Sequence, residues 1–166
     1  KENMANHSHN LAEVFGARGD LDSAEKMFRK ALALNEELGD KEEMATQYAK
    51  LAEIFETRGA LDDATDMHLK SLALHEELGD KGNMAANYGN LGVLFRARGD
   101  LDNAEDMHFK ALALYREIGG KKDMAATYSN LGNVFGTRED LDKAEKMFRK
   151  ALALHEELDE KNGVAV

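Results

Sequence analysis

One forty-residue pattern runs through the chain four times, and a fifth copy begins near its end. With Lys1, Lys41, Lys81 and Lys121 in register, Met4, Met44, Met84 and Met124 align, as do Leu11, Leu51, Leu91 and Leu131. Phe15, Phe55, Phe95 and Phe135 follow, then Arg18, Arg58, Arg98 and Arg138, then a Leu-Asp-x-Ala run from Leu21, Leu61, Leu101 and Leu141. A fixed period of this length marks a stacked array, in which each unit is one supersecondary element that cannot bury its apolar face alone. The chain therefore reads as one domain of repeats 1–40, 41–80, 81–120 and 121–160, with 161–166 as the start of a truncated fifth repeat.

Each repeat spells two helices. In the third, Met84, Tyr88, Leu91 and Phe95 recur at three- and four-residue steps, an apolar stripe along one helical face. Gly99-Asp100 breaks the stripe, and Leu101, Ala104, Met107, His108, Ala111, Leu112, Leu114 and Ile118 begin another. Asp20, Asp100 and Asp140 can cap the second helices, whereas Ala60 cannot. Gly39, Gly79 and Gly119 permit the left-handed residue that closes a helix. Small residues at Ala24, Ala64, Ala104 and Ala144 predict close helix approach, with the aligned phenylalanines filling the space beside them. Strands are excluded by the lack of period-two alternation and the scarcity of β-branched residues.

The spacing Tyr88, Leu91, Gly92, Phe95, Ala104, His108 and Ala111 resembles the tetratricopeptide signature, and Tyr128, Leu131, Gly132, Phe135, Ala144, Phe148 and Ala151 repeat it. The first two copies follow with Ser8, Leu11, Ala12, Phe15 and Tyr48, Leu51, Ala52, Phe55. Armadillo and HEAT units have similar periods but lack the Leu-Gly-x-x-Phe and Leu-Asp-x-Ala spacings. The period is forty rather than the family's 34, and Glu36, Glu76, Arg116 and Glu156 stand where its late proline would. Without proline the second helix should run on through Leu38, Leu78, Ile118 and Leu158, to about 17 residues or near 26 Å. In this the chain is similar to kinesin light chains, Pins-type adaptors and many bacterial multidomain regulators. The resemblance implies an all-α fold, a right-handed α-solenoid of antiparallel helix pairs.

The remaining composition narrows the function. A net charge of −10, from 22 basic and 32 acidic residues, argues against nucleic acid, whose phosphates require clustered Lys and Arg. Cysteine is absent, no signal peptide is visible, and no apolar run reaches the roughly 18 residues of a membrane span. A cytoplasmic protein with no membrane partner is the expectation. The eight methionines fall into two repeat positions, a packing signature rather than a metal site. His68 and His108 replace Phe28 and Phe148 and so read as a partly buried packing position, while His75 and His155 share a slot with Asn35 and Tyr115 that reads as tolerant surface. No histidine pair has metal-ligand spacing, and no hydroxyl, thiol or glycine-rich loop offers catalytic or phosphate chemistry. No enzyme, cofactor or metal is expected.

In a right-handed stack of helix pairs the first helices line the concave face. Their residues outside the apolar stripe include Asn10, Lys50, Asn90 and Asn130 on one rung, with Arg96 and Asn133 nearby. An amide donates and accepts, so an amide ladder can pair with the backbone of an extended peptide. The resemblance implies that use, and the expected function is a protein–protein interaction scaffold holding a peptide or helix in the groove. A two-carboxylate clamp for chaperone tails is not spelled, because His9 with Glu13 and Ala49 with Glu53 stand where Lys and Asn are needed. A spacer array without a peptide ligand, or a regulatory array controlling an attached effector, remain alternatives, and duplication alone could produce the ladder. The fourth second helix repeats the internal apolar set (Leu141, Ala144, Met147, Phe148, Ala151, Leu152 and Leu158), so its stacking face should be partly uncovered. The chain thus reads as a piece of a longer array whose ends self-associate.

Overall fold

The computed structural model describes the backbone of residues 1–163 and the side chains of 1–159. Eight helices follow one another: α1 Glu2–Ala17, α2 Leu21–Leu38, α3 Lys41–Thr57, α4 Leu61–Leu78, α5 Lys81–Ala97, α6 Leu101–Ile118, α7 Lys121–Thr137 and α8 Leu141–Gly163. No strand occurs among the described residues. Each repeat is one antiparallel pair, and α2, α4 and α6 are each 18 residues long, about 27 Å. They pass Glu36, Glu76 and Arg116 and end at Leu38, Leu78 and Ile118, as the missing proline predicts.

Local chemistry sets the ends. Asp20, Asp40, Asp100 and Asp140 each accept the backbone N–H three residues on, at 3.1–3.3 Å. Hydrogen bonds from the Ser23, Asn103 and Lys143 side chains, and then these backbone bonds, hold the Asp20, Asp100 and Asp140 carboxyls below the usual range. Ala60 supplies no side-chain cap. Gly39, Gly79 and Gly119 close their helices in the left-handed conformation, returning N–H groups to the last carbonyls. At the slot of those glycines the fourth repeat carries Asp159, and α8 continues through Gly163. Residues 164–166 of the expected fifth repeat lie outside the described residues.

Two compact units result, residues 1–80 and 81–166, each of two repeats. In the first, α2 packs between α1 and α3, and α3 packs on α4. Its core holds Ala12, Ala24, Phe28, Leu51, Ala52, Phe55 and Ala64. In the second, Leu112, Tyr128, Leu131, Phe135, Ala144, Met147 and Ala151 form one cluster, with Met124 and Leu154 against it. Ala24, Ala64, Ala104 and Ala144 are all buried, as close helix approach requires. One further packing rule emerges in the third and fourth repeats, where glycine replaces Ala12 and Ala52. A Cβ added at Gly92 would lie 2.6–2.8 Å from the His108 ring, and at Gly132 2.8–2.9 Å from the Phe148 ring. The glycine admits the ring.

Ion pairs recur with the period. Lys1–Glu37, Lys41–Glu77, Lys81–Glu117 and Lys121–Glu157 tie the start of each first helix to the end of its partner, at 2.5–2.8 Å. Between repeats, Arg58 forks to Asp22 at 2.6 Å and Glu25 at 2.5 Å, and Arg138 forks to Asp102 and Glu105. Exposed pairs of this kind contribute little singly, so their value lies in register.

Three packing expectations need correction. Met4 and Leu11, aligned with core residues, are exposed because α1 has a helix on one side only. His75 is buried rather than a tolerant surface residue, and Asn35 in the same slot is buried too. His68 and His108 are fully buried, where a partly buried position was expected.

Candidate functional site

The polar residues of the first helices divide into those the packing consumes and those it leaves outward. In the first unit Gln47 is buried on α3, with its amide nitrogen 3.0 Å from His9 Nδ1 on α1. The His9 ring in turn meets the Phe28 edge at 5.6 Å. His9 therefore belongs to the repeat interface. Asn87 and Thr127, at the Gln47 position, are buried as well and bond back to their own helices, Asn87 to Asn83 O at 3.0 Å and Thr127 to Asp123 O at 2.7 Å. The sequence signal for them was present: His7, Gln47, Asn87 and Thr127 put four polar letters in one slot of the apolar face.

Of the six predicted site residues, Asn10 and Lys50 lie in the first unit. Asn10 is exposed on α1. Lys50 is half-buried on α3, 3.3 Å from Glu13 and 3.2 Å from Glu53. Partial burial works against its ammonium, yet the Glu53 and Glu13 carboxylates outweigh it and raise the pKa. Lys50 thus bridges α1 and α3 within the chain. A cleft of about 290 Å3 beside it is lined by Glu13, Lys50, Glu53, Phe28, Ile54 and Thr57. Its charge is mixed, and its one cation is engaged.

The other four lie in the second unit, Asn90 and Arg96 on α5, Asn130 and Asn133 on α7. Asn90 and Asn133 are exposed; Asn130 and Arg96 are half-buried. Arg96 and Asn133 come together on one cleft of about 490 Å3, which Gly132, Gly136, Thr137 and the half-exposed Phe148 ring complete. Gly136 adds no side chain to it, and the Phe148 ring lies over Gly132. The Arg96 cation also lies near His108, whose ring nitrogens have no hydrogen-bond partner. Burial, then Arg96, pushes the His108 pKa down to about 4, so the imidazole is neutral at pH 7. The cleft combines a fork of N–H donors, an amide and an aromatic face, a set suited to a carboxylate or a backbone carbonyl.

Among the described residues, no group of three or more His, Asp or Glu side chains is placed to hold a metal ion. No helix among them is long and apolar enough to cross a membrane.

Comparison with solved structures places this geometry. BtubC (BKLC) from P. vanneervenii superposes with a TM-score of 0.86 at 28% identity, over 93% of this chain and 64% of that one. A kinesin light chain-type protein of nearly identical TPR-like repeats from P. anserina gives 0.76 at 14% identity, over 93% and 76%. Aspartyl phosphate phosphatase F from Bacillus subtilis gives 0.86 at 15%, over 93% of this chain and 41% of its own length. The last two likenesses show the fold alone. The chain spans less than two thirds of BtubC. A search of curated protein sequences finds no match. The tetratricopeptide repeat model matches residues 3–77 and again 83–157, two repeats each time, and with the helix pairs, caps and Gly-to-ring contacts above it assigns the chain to the tetratricopeptide repeat family.

Proposed function

We propose that the chain is a protein–protein interaction scaffold whose first helices hold an extended peptide or a helix of a partner. The observation that carries this reading is the cleft of the second unit, where Arg96 and Asn133 converge beside an open aromatic face. Asn90 and Asn130, exposed and half-buried on the same two helices, would supply amides to the peptide backbone. In the first unit Asn10 would do so, while Lys50 must first leave Glu13 and Glu53. The cleft of the second unit therefore dominates binding, and a ligand bearing an acidic side chain or a terminal carboxylate fits it better than a basic one.

A displayed random-peptide library panned against the whole chain tests the proposal. Binding peptides should be acidic, and Asn90→Ala with Asn130→Ala should weaken them about tenfold, as expected from two lost hydrogen bonds. Arg96→Ala should weaken acidic binders more than neutral ones. Binding that survives all three changes moves the site off the first helices, and a library without binders favours a spacer array.

A further inference from the structure

The cleft of the first unit has both its walls within the chain. It lies between α1 and α3, with Phe28 of α2 beneath, and encloses about 290 Å3. Its sides are short or apolar, Ala12, Gly16 and Ala17 on α1 and Ile54 on α3. Open space stands where a Cβ on Gly16 would project. One turn of helix, about 10 Å across and about 5.4 Å long, already exceeds the cleft in volume. The space therefore suits a single side chain of an extended ligand.

Its rim already holds a cation. The Lys50 ammonium lies 3.3 Å from Glu13 of α1 and 3.2 Å from Glu53 of α3, so two carboxylates on two helices share one positive charge and one negative charge is left over. Neither carboxylate recurs in the second unit, where Val93 and Asn133 fill the slot of Glu13 and Glu53, and Asn90 and Asn130 fill that of Lys50. The units differ in total charge as well. Residues 1–80 carry 9 Lys and Arg against 18 Asp and Glu, whereas residues 81–166 carry 13 against 14. A field of that sign draws basic ligands towards the first unit. The same unit shows the geometry that such a ligand would use: Arg58 forks to Asp22 at 2.6 Å and Glu25 at 2.5 Å, one guanidinium between two carboxylates.

We propose that this cleft takes an arginine side chain of the bound peptide, its guanidinium forked between Glu13 and Glu53 and its stem over Ala12, Ala17 and Ile54, and that Lys50 is the internal competitor it displaces. The assignment rests on the reading of the first helices as a peptide groove. The exchange replaces one cation by another, so the carboxylates stay paired throughout. Its direction follows from hydration: an ammonium is the more strongly hydrated ion, so Lys50 gains by returning to water, while a guanidinium loses less on entering and bonds two carboxylates in its own plane. The apolar walls cover the arginine stem, as they would not cover a short side chain. Lys50 thus sets a threshold that a peptide without arginine does not pass.

Titration of the isotope-labelled 166-residue chain with N-acetyl-arginine amide, followed by amide NMR shifts, tests this, with N-acetyl-citrulline amide as the uncharged probe of the same shape. The arginine probe should move the amides of Gly16 and Ile54, and the citrulline probe should leave them in place. Lys50→Asn installs the residue that Asn10, Asn90 and Asn130 provide in the other repeats, so the fold is kept, and circular dichroism checks it. That variant should bind the arginine probe about fivefold more tightly, because an exposed competing pair is gone. Glu13→Gln and Glu53→Gln should each weaken the probe by about the same factor. Equal binding of the two probes overturns the proposal, as do shifts that miss Gly16 and Ile54, or a Lys50→Asn chain that binds no more tightly than the parent. Library peptides that bind through Asn90, Asn130 and Arg96 while the arginine probe leaves the cleft unmoved would sink this assignment and leave the scaffold standing. A library without binders, with the probe seated in the cleft, would instead overturn the scaffold reading.

Discussion

His108 sits beneath Gly92 with both ring nitrogens unpartnered, in a slot that the first and fourth repeats fill with Phe28 and Phe148. A buried, unsatisfied polar group costs about 1–3 kcal/mol, and the neighbouring Gly132–Phe148 pair shows that a phenyl ring fits under glycine. His108→Phe should therefore raise the unfolding midpoint. The pH dependence has a definite sign. The folded-state pKa of about 4 lies below the ordinary 6.5, so the unfolded chain binds more protons between those values. Stability from this group is fully present above pH 6.5 and is lost as pH falls towards 4, by about 3 kcal/mol. Melting curves for parent and His108→Phe should diverge as the solution is acidified through that window; parallel curves would place the ring in a wetter site. Glu139 is the second residue under tension. It adopts φ 62° where Gly19, Gly59 and Gly99 hold the same turn. A left-handed non-glycine residue costs about 1–2 kcal/mol, partly offset by the greater unfolded-state entropy of glycine, so Glu139→Gly should raise the melting temperature modestly.

At the level of the element, the long second helix is the chain's departure from the common repeat. Its last turn carries Glu37, Glu77 and Glu117, which reach back to Lys1, Lys41 and Lys81. Restoring the family's proline in α4 by Glu76→Pro removes a helical N–H and clashes with the preceding turn, at about 3 kcal/mol. Denaturant unfolding should show that loss, and α4 should shorten. An unchanged midpoint would mean that the residues past position 76 contribute nothing to the pair. Ala104 is fully buried at the helix crossing, so Ala104→Leu should overpack it and cost about 1–3 kcal/mol in the same assay.

Across the whole molecule, a repeat array derives its stability from each unit plus its contacts to neighbours. Within the first unit α3 is flanked by α2 and α4, whereas α1 meets α2. Amide hydrogen exchange at low concentration should therefore release Ala12–Phe15 sooner than Ala52–Phe55, although three of the four letters agree. Equal protection would show that the unit opens all at once.

The period, the helix pairs, the caps and the length of the second helices were legible in the sequence because each depends on residues within a few positions of one another. Asp20 caps because Ser23 is three residues on; α2 runs to Leu38 because no proline interrupts it. Whether a letter is covered depends instead on what stands opposite. Leu11 and Leu51 are the same residue in the same slot, yet the first is exposed and the second is buried, because α3 has a helix on each side. The slot of Asn35, His75, Tyr115 and His155 varies like a surface position, but two of its four residues are buried. The amides and Arg96 could be assigned to the first helices by period alone. That Lys50 is tied to Glu13 and Glu53, and that Arg96 and Asn133 share a cleft, followed from distances between helices, which only the tertiary structure decides.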